Sequence, residues 1–148
     1  MAVDAPDLKI LLVAADYHEE LATQLEQGAR EVLLAAGMSE ERIVMRRVPG
    51  CWELPLATQR LIRRHSPHAV VALGVVIRGE TDHYEHIARE ACAGLMRVAL
   101  EEGTAVGLGV LTCDHFAQAE ERCSVSPVGN NKGREAAQAV LRMLSADS

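Results

Sequence analysis

Two hydrophobic rhythms divide this chain. Residues 8–15 form a short, nearly unbroken apolar run, as expected for a strand buried on both faces. Residues 69–77 form a second such run, and residues 106–112 a third. Residues 42–48 are more polar and predict a strand nearer a sheet edge. Between the runs the period changes to that of a helix. Leu21, Leu25, Ala29, Val32, Leu33 and Ala36 share one face, and Gly37 follows as a helix-ending glycine. A helix from Leu54 to Arg64 tolerates Pro55 in its first turn, and Ser66-Pro67 breaks it. Residues 84–102 carry a broad apolar band, Ile87, Ala88, Ala91, Cys92, Leu95, Val98 and Ala99, ended by Glu102-Gly103. A short helix over 115–122 and a loop over 123–130 precede a last helix over 132–144, which buries Ala136, Ala137, Val140, Leu141 and Leu144.

The order is therefore βαβαβαβαα. Strands alternating with helices imply a parallel sheet, right-handed crossovers and helices on both faces. The expected class is α/β, a flavodoxin-like doubly wound domain with four strands. It spans residues 8–146, behind a short tail over 1–7. In such sheets ligands bind outside the carboxyl ends of the strands.

Composition narrows the function classes. A chain of 148 residues fits one domain and can bury about 70% of its unfolded surface without a disulfide or metal. The net charge of −6 and isolated arginine pairs exclude a basic nucleic-acid stripe. No apolar run approaches a membrane span, and the first residues lack a signal-peptide pattern. The expectation is a soluble cytoplasmic protein that binds neither nucleic acid nor membrane. Its four cysteines, without close paired spacing, are expected to be reduced and unlinked. Aromatics make up only 3% of the chain, so the core is aliphatic and the positions of the rings become informative.

Each predicted strand ends in distinctive residues. The first gives Tyr17, the second Gly50-Cys51-Trp52-Glu53, the fourth Thr112-Cys113-Asp114-His115. The third opens through Arg78, Gly79, Glu80, Thr81, Asp82 and His83 onto a helix start. Free N–H groups and a positive dipole end suit an anion there, Thr81 adds a hydroxyl, and His83 can exchange a proton near neutral pH. An ordinary capped turn is the alternative. A flat heterocycle can stack on Tyr17 or Trp52 while Glu53 reads its polar edge. Rim packing for the rings, and a favourable charge at a helix start for Glu53, are the competing structural readings. His83, His86 and Glu90 share a helix face but match no zinc signature, and no metal is expected. Cys113 with His115, or Cys51, offers a nucleophile only if something orients and activates it. The loop 129–133 is glycine-rich, but its Lys132 is not followed by Ser or Thr as in a phosphate-binding Walker loop.

Together the motifs resemble those of the 6,7-dimethyl-8-ribityllumazine synthase family. They are Val48-Pro49-Gly50, Glu53-Leu54-Pro55, Ala72-Leu73-Gly74, Val76-Ile77-Arg78-Gly79-Glu80-Thr81 with His83, Gly109-Val110-Leu111-Thr112, Gln118-Ala119 with Glu121-Arg122, and Asn131-Lys132-Gly133. The resemblance runs from Lys9 to Leu144. It implies the penultimate step of riboflavin synthesis, in which 5-amino-6-(D-ribitylamino)uracil condenses with 3,4-dihydroxy-2-butanone 4-phosphate, releasing phosphate and water. It implies no cofactor and no metal.

By position, the resemblance makes Tyr17 the ring stacked on the pyrimidine. Cys51, Trp52 and Glu53 line the ring and ribityl pocket, and Val75, Val76 and Ile77 are backbone contacts to the ring edge. Glu80 and Thr81 lie at the phosphate-bearing substrate, and His83 is the proton-transfer residue. Arg122 binds phosphate and Leu108 lines the pocket, both from a neighbouring subunit, with Lys132 nearby. The implied assembly is a homopentamer or a multiple of it, with riboflavin synthase as a further partner. Four features depart from the family pattern: Asp16 for a basic residue with His18 for asparagine, Tyr17 as the ring, Leu108 for an aromatic, and a longer loop over 123–131. The longer loop leads us to expect assembly to stop at pentamers or decamers. A non-catalytic flavin- or lumazine-binding oligomer on the same fold is the rival reading, as is a decayed shell protein. Retention of His83 and Arg122 speaks against both.

Overall fold

The structure, a computed structural model, describes residues 4–145 except Glu80. Four parallel strands, β1 (Ile10–Ala15), β2 (Ile43–Val48), β3 (Ala69–Ile77) and β4 (Ala105–Cys113), form one sheet in the order β2-β1-β3-β4. The helices are α1 (Glu19–Ala35), α2 (Leu54–His65), α3 (His83–Glu102), α4 (Phe116–Arg122) and α5 (Lys132–Ser145). The doubly wound α/β order read from the alternation is the order observed.

The sheet separates two cores, which explains the unbroken apolar runs. Successive strand side chains point to opposite faces. Ile10, Leu12 and Ala14 of β1 join one core, which also holds Leu21, Leu25, Ala137 and Val140 from α1 and α5. Leu11, Val13 and Ala15 join the other, with Leu54, Ile62, Ala91 and Leu95 from α2 and α3. Each fully buried Leu or Val contributes about 1.5–3 kcal/mol relative to exposure. β2 is an edge strand with Met45, Arg46 and Arg47 exposed, as its polarity predicted. Arg47 closes over the edge to an ion pair with Glu26 of α1 and a 3.0 Å hydrogen bond to Thr23.

Element ends differ from the pattern-based bounds for local reasons. β1 begins at Ile10 rather than Leu8, because Ala5–Asp7 form a 3-10 turn. Arg42 is not in β2. It ends a second such turn, and its guanidinium donates to the carbonyls of Asp7 at 2.6 Å and Leu8 at 3.1 Å. His115 lies outside α4 and caps it, its Nδ1 accepting from the Gln118 N–H at 3.3 Å.

The loop from Cys123 to Asn131 is tied down by two residues. Asn131 is buried, and its Nδ2 donates to the carbonyls of Gln24 (3.1 Å) and Ser124 (3.0 Å). Its Oδ1 accepts from the Arg134 N–H, 3.1 Å away. Arg134 donates in turn to the carbonyls of Val125, Ser126 and Gly129. α5 can lie this close to α1 because position 133 is glycine; a Cβ there would run into the Leu25 carbonyl oxygen.

Candidate functional site

The crossovers locate the site. From β1 the chain leaves to the face covered by α1, and from β3 to the opposite face covered by α3. The crevice at this reversal, outside the strand carboxyl ends, is where doubly wound sheets bind ligands. A cleft of about 370 Å³ opens there. Its walls include Tyr17, Cys51, Trp52, Glu53, Val75, Val76, Ile77, Thr81 and His83. Residues drawn from three strand ends thus come together.

β3 provides the floor. Its pairing with β1 stops at Leu73, whereas its pairing with β4 continues to Ile77. Residues 74–77 therefore overhang β1, and backbone polar groups on that side have no strand partner. A ligand edge can take up such groups. Tyr17 and Trp52 stand at the rim, 80% and 57% exposed. Exposed rings beside a partly apolar cleft offer stacking area.

Cys51 is buried beside Gly74. Burial pushes its thiol up to about 12, helped by nearby Cys92 and Glu53, while a backbone hydrogen bond from Val75 pulls the other way. It is a neutral wall rather than a nucleophile. Burial likewise raises the Cys113 thiol, with Arg122 opposing. The Nδ1 of His115 is committed to capping α4, so that nitrogen does not serve as a base for Cys113. All four cysteines are free thiols.

The start of α3 forms the remaining wall. The Thr81 Oγ1 accepts from the His83 N–H at 3.3 Å, which leaves the hydroxyl proton free to donate elsewhere. Asp82 occupies the cap position but makes no side-chain cap bond. His83 is exposed on the first turn. No three His, Cys, Asp or Glu side chains among the described residues cluster as metal ligands.

Not every expected residue lies here. Leu108 pairs with Ala72 in mid-β4, well below the strand ends, and is 43% exposed in a separate groove with Leu100 and Met143. Arg122 ends α4 and donates to the Gln118 carbonyl at 3.5 Å. Neither it nor Lys132 lines this chain's cleft. Glu80 lies outside the described residues. The cleft also includes residues that the pattern assigned elsewhere or passed over. His18 stands beside Tyr17, and Tyr84 and Ile87 reach in from α3. Ile87 sits one turn beyond His83, so helical spacing could have found it; its apolar character placed it in the core band instead. Tyr84 is steadied by the Arg78 guanidinium, 5.7 Å from its ring centre. Arg78 itself approaches Asp114 at 4.0 Å.

Fold and cleft together define a doubly wound α/β protein with a cleft of small-molecule size at its switch crevice. A family model described as 6,7-dimethyl-8-ribityllumazine synthase matches residues 7–147. Curated proteins of that name are similar along nearly the whole chain. The one from Leifsonia xyli subsp. xyli is 45% identical over 139 residues, covering 94% of this chain and 85% of its own length. Those from Kineococcus radiotolerans and Levilactobacillus brevis are 44% identical over 144 residues and 41% over 140, each covered over 88% of its own length. The chain belongs to the 6,7-dimethyl-8-ribityllumazine synthase family.

Proposed function

We propose that the cleft between β1 and β3 condenses 5-amino-6-(D-ribitylamino)uracil with 3,4-dihydroxy-2-butanone 4-phosphate to give 6,7-dimethyl-8-ribityllumazine, in riboflavin biosynthesis. The observation that carries the reading is the convergence of Tyr17, Trp52, Glu53, Thr81 and His83 on one cleft in a chain that matches the family end to end. The pyrimidine stacks on Tyr17, its polar edge meets the overhanging backbone of Val75, Val76 and Ile77, and Cys51, Trp52 and Glu53 take the ribityl side. The phosphate-bearing substrate lies at the α3 start, held by Thr81 and by free N–H groups at the positive dipole end.

The residue types suit the steps. The amine attacks the ketone, an imine forms, phosphate leaves, and the ring closes. His83 carries protons between these groups, as a positioned imidazole can in either direction. An arginine beside the phosphate offsets the charge of the leaving group. Holding two reactants together supplies much of the remaining acceleration.

That arginine is Arg122 of an adjacent subunit, and Leu108 of a neighbour closes the ring pocket. Support comes from placement: both lie away from their own chain's cleft, on exposed surface. Exposed Met96, Leu100 and Met143 add apolar surface suited to assembly. A cyclic homopentamer in the cytoplasm, handing product to riboflavin synthase, completes the proposal. The non-catalytic rival is not favoured, since the relatives carry the synthase name throughout.

Mixed assembly tests the shared site. His83→Ala and Arg122→Ala are each expected to be nearly inactive at low substrate. Unfolded and refolded together in equal amounts, they should regain about a quarter of wild-type activity, because that share of interfaces pairs two intact groups. No recovery in verified mixed assemblies would place both residues in one subunit's site and refute the arrangement.

A further inference from the structure

Tyr17 is unusual for a residue that stacks a ligand. In the single subunit it is 80% exposed and belongs to neither hydrophobic core. The ring of the next residue lies against it. The His18 ring meets Tyr17 edge-on, with centroids 5.0 Å apart and planes at 82°. On the other side His18 lies 6.3 Å from the Phe116 ring at 61°, also edge-to-face. The three rings form a ladder from the β1 end to the first residue of α4. Both geometries fall within the range that aromatic quadrupoles favour.

His18 is well placed to be the fixed rung. Its backbone is locked at the start of α1, where its carbonyl accepts from the Ala22 N–H at 2.9 Å. Its side chain makes no cap hydrogen bond, so the ring is not committed to the helix end. It is half-buried and lines the cleft. Burial also lowers its pKa, which favours the neutral aromatic ring.

We infer that His18 is a positioning residue that holds the Tyr17 ring in its stacking orientation, braced from behind by Phe116. The inference rests on the assignment of Tyr17 to the pyrimidine. An unbraced ring with this exposure samples several orientations and must be immobilised when substrate stacks on it. Freezing one such side chain weakens binding by about 2- to 12-fold.

Four variants separate the possibilities: Tyr17→Ala, His18→Ala, the double variant, and His18→Phe, which keeps an aromatic edge but no ring nitrogen. His18→Ala should raise the KM for the pyrimidine by about 2- to 12-fold. The KM for the phosphate-bearing substrate and kcat should stay within about twofold. His18→Phe should restore the pyrimidine KM. The double variant should bind no worse than Tyr17→Ala alone, because the brace acts only through that ring. An unchanged KM in His18→Ala, an additive double variant, or failure of His18→Phe to restore the KM would each overturn the brace; the last would mean that a ring nitrogen touches substrate directly. If Tyr17→Ala itself leaves the pyrimidine KM unchanged, the stacking assignment fails first and the brace fails with it.

Discussion

Replacing Gly74 with alanine probes the floor of the cleft. A Cβ at this position would stand 2.5 Å from the Cys51 Sγ, 3.3 Å from the Ala15 Cβ and 3.6 Å from the Leu54 Cδ1. Carbon and sulfur do not approach to 2.5 Å, so something must shift. Ala15 ends β1 and Leu54 opens α2, and both are buried. The Cys51 side chain must therefore give way. Overpacking of this kind costs about 1–3 kcal/mol. For a chain of this length that lowers the apparent Tm by about 3–10 °C, measured at fixed protein concentration because assembly contributes to stability. The clash has one main partner, which gives the prediction a second arm. Cys51→Ala alone should cost about 1 kcal/mol for a small void, and adding it to Gly74→Ala should recover most of the lost Tm. A Gly74→Ala protein that melts within about 1 °C of wild type would refute the packing argument. So would a double variant that melts at the sum of two independent losses.

Other consequences follow from the same geometry. His83→Ala should lower kcat by about 10²- to 10⁴-fold while the pyrimidine KM stays near normal, and a large loss of pyrimidine affinity would instead make it a binding residue. Arg122→Ala should raise the KM of the phosphate-bearing substrate by about 10- to 100-fold, with an unchanged value counting against its role. Asn131→Ala removes three hydrogen bonds, two to carbonyls of Gln24 and Ser124, and should destabilise by about 2–4 kcal/mol in thermal or urea melts; a loss under about 0.5 kcal/mol would show that the clamp is dispensable. Burial pushes the Cys51 and Cys123 thiols from 9.0 to about 12, so the unfolded chain ionises first. Their contribution is present below about pH 9 and is lost as pH rises toward about 12, at about 1.4 kcal/mol per pH unit for each thiol. Urea midpoints across this range should therefore fall less steeply in Cys123→Ala than in wild type, and identical slopes would contradict the linkage.

Much of the architecture was legible because the sheet is buried on both faces. Continuous apolar runs at β1 and β3 could hardly serve another purpose, and the polar β2 announced its edge position. Bounds slipped where a side chain overrode the pattern. Arg42 looked like the first residue of a strand but is bonded back to the segment before β1, and His115 looked helical but caps α4 from outside. The cleft was legible where it depends on strand ends, since topology alone brings Tyr17, Cys51 to Glu53, Val75 to Ile77, Thr81 and His83 together. Its remaining walls depend on helix rotation. Ile87 and Tyr84 turn toward the cleft by amounts that periodicity does not specify, and the ring ladder through His18 joins residues almost a hundred positions apart. Leu108 and Arg122 could be assigned to the site only by resemblance, because no property of the single chain brings them to its own cleft.

The most direct test of the central claim is a spectroscopic assay of the purified protein with both substrates, following the product's absorbance and fluorescence and subtracting the uncatalysed condensation. The account predicts a rate well above background that disappears in His83→Ala. A protein that binds pyrimidine or flavin yet adds nothing to the background rate would contradict it.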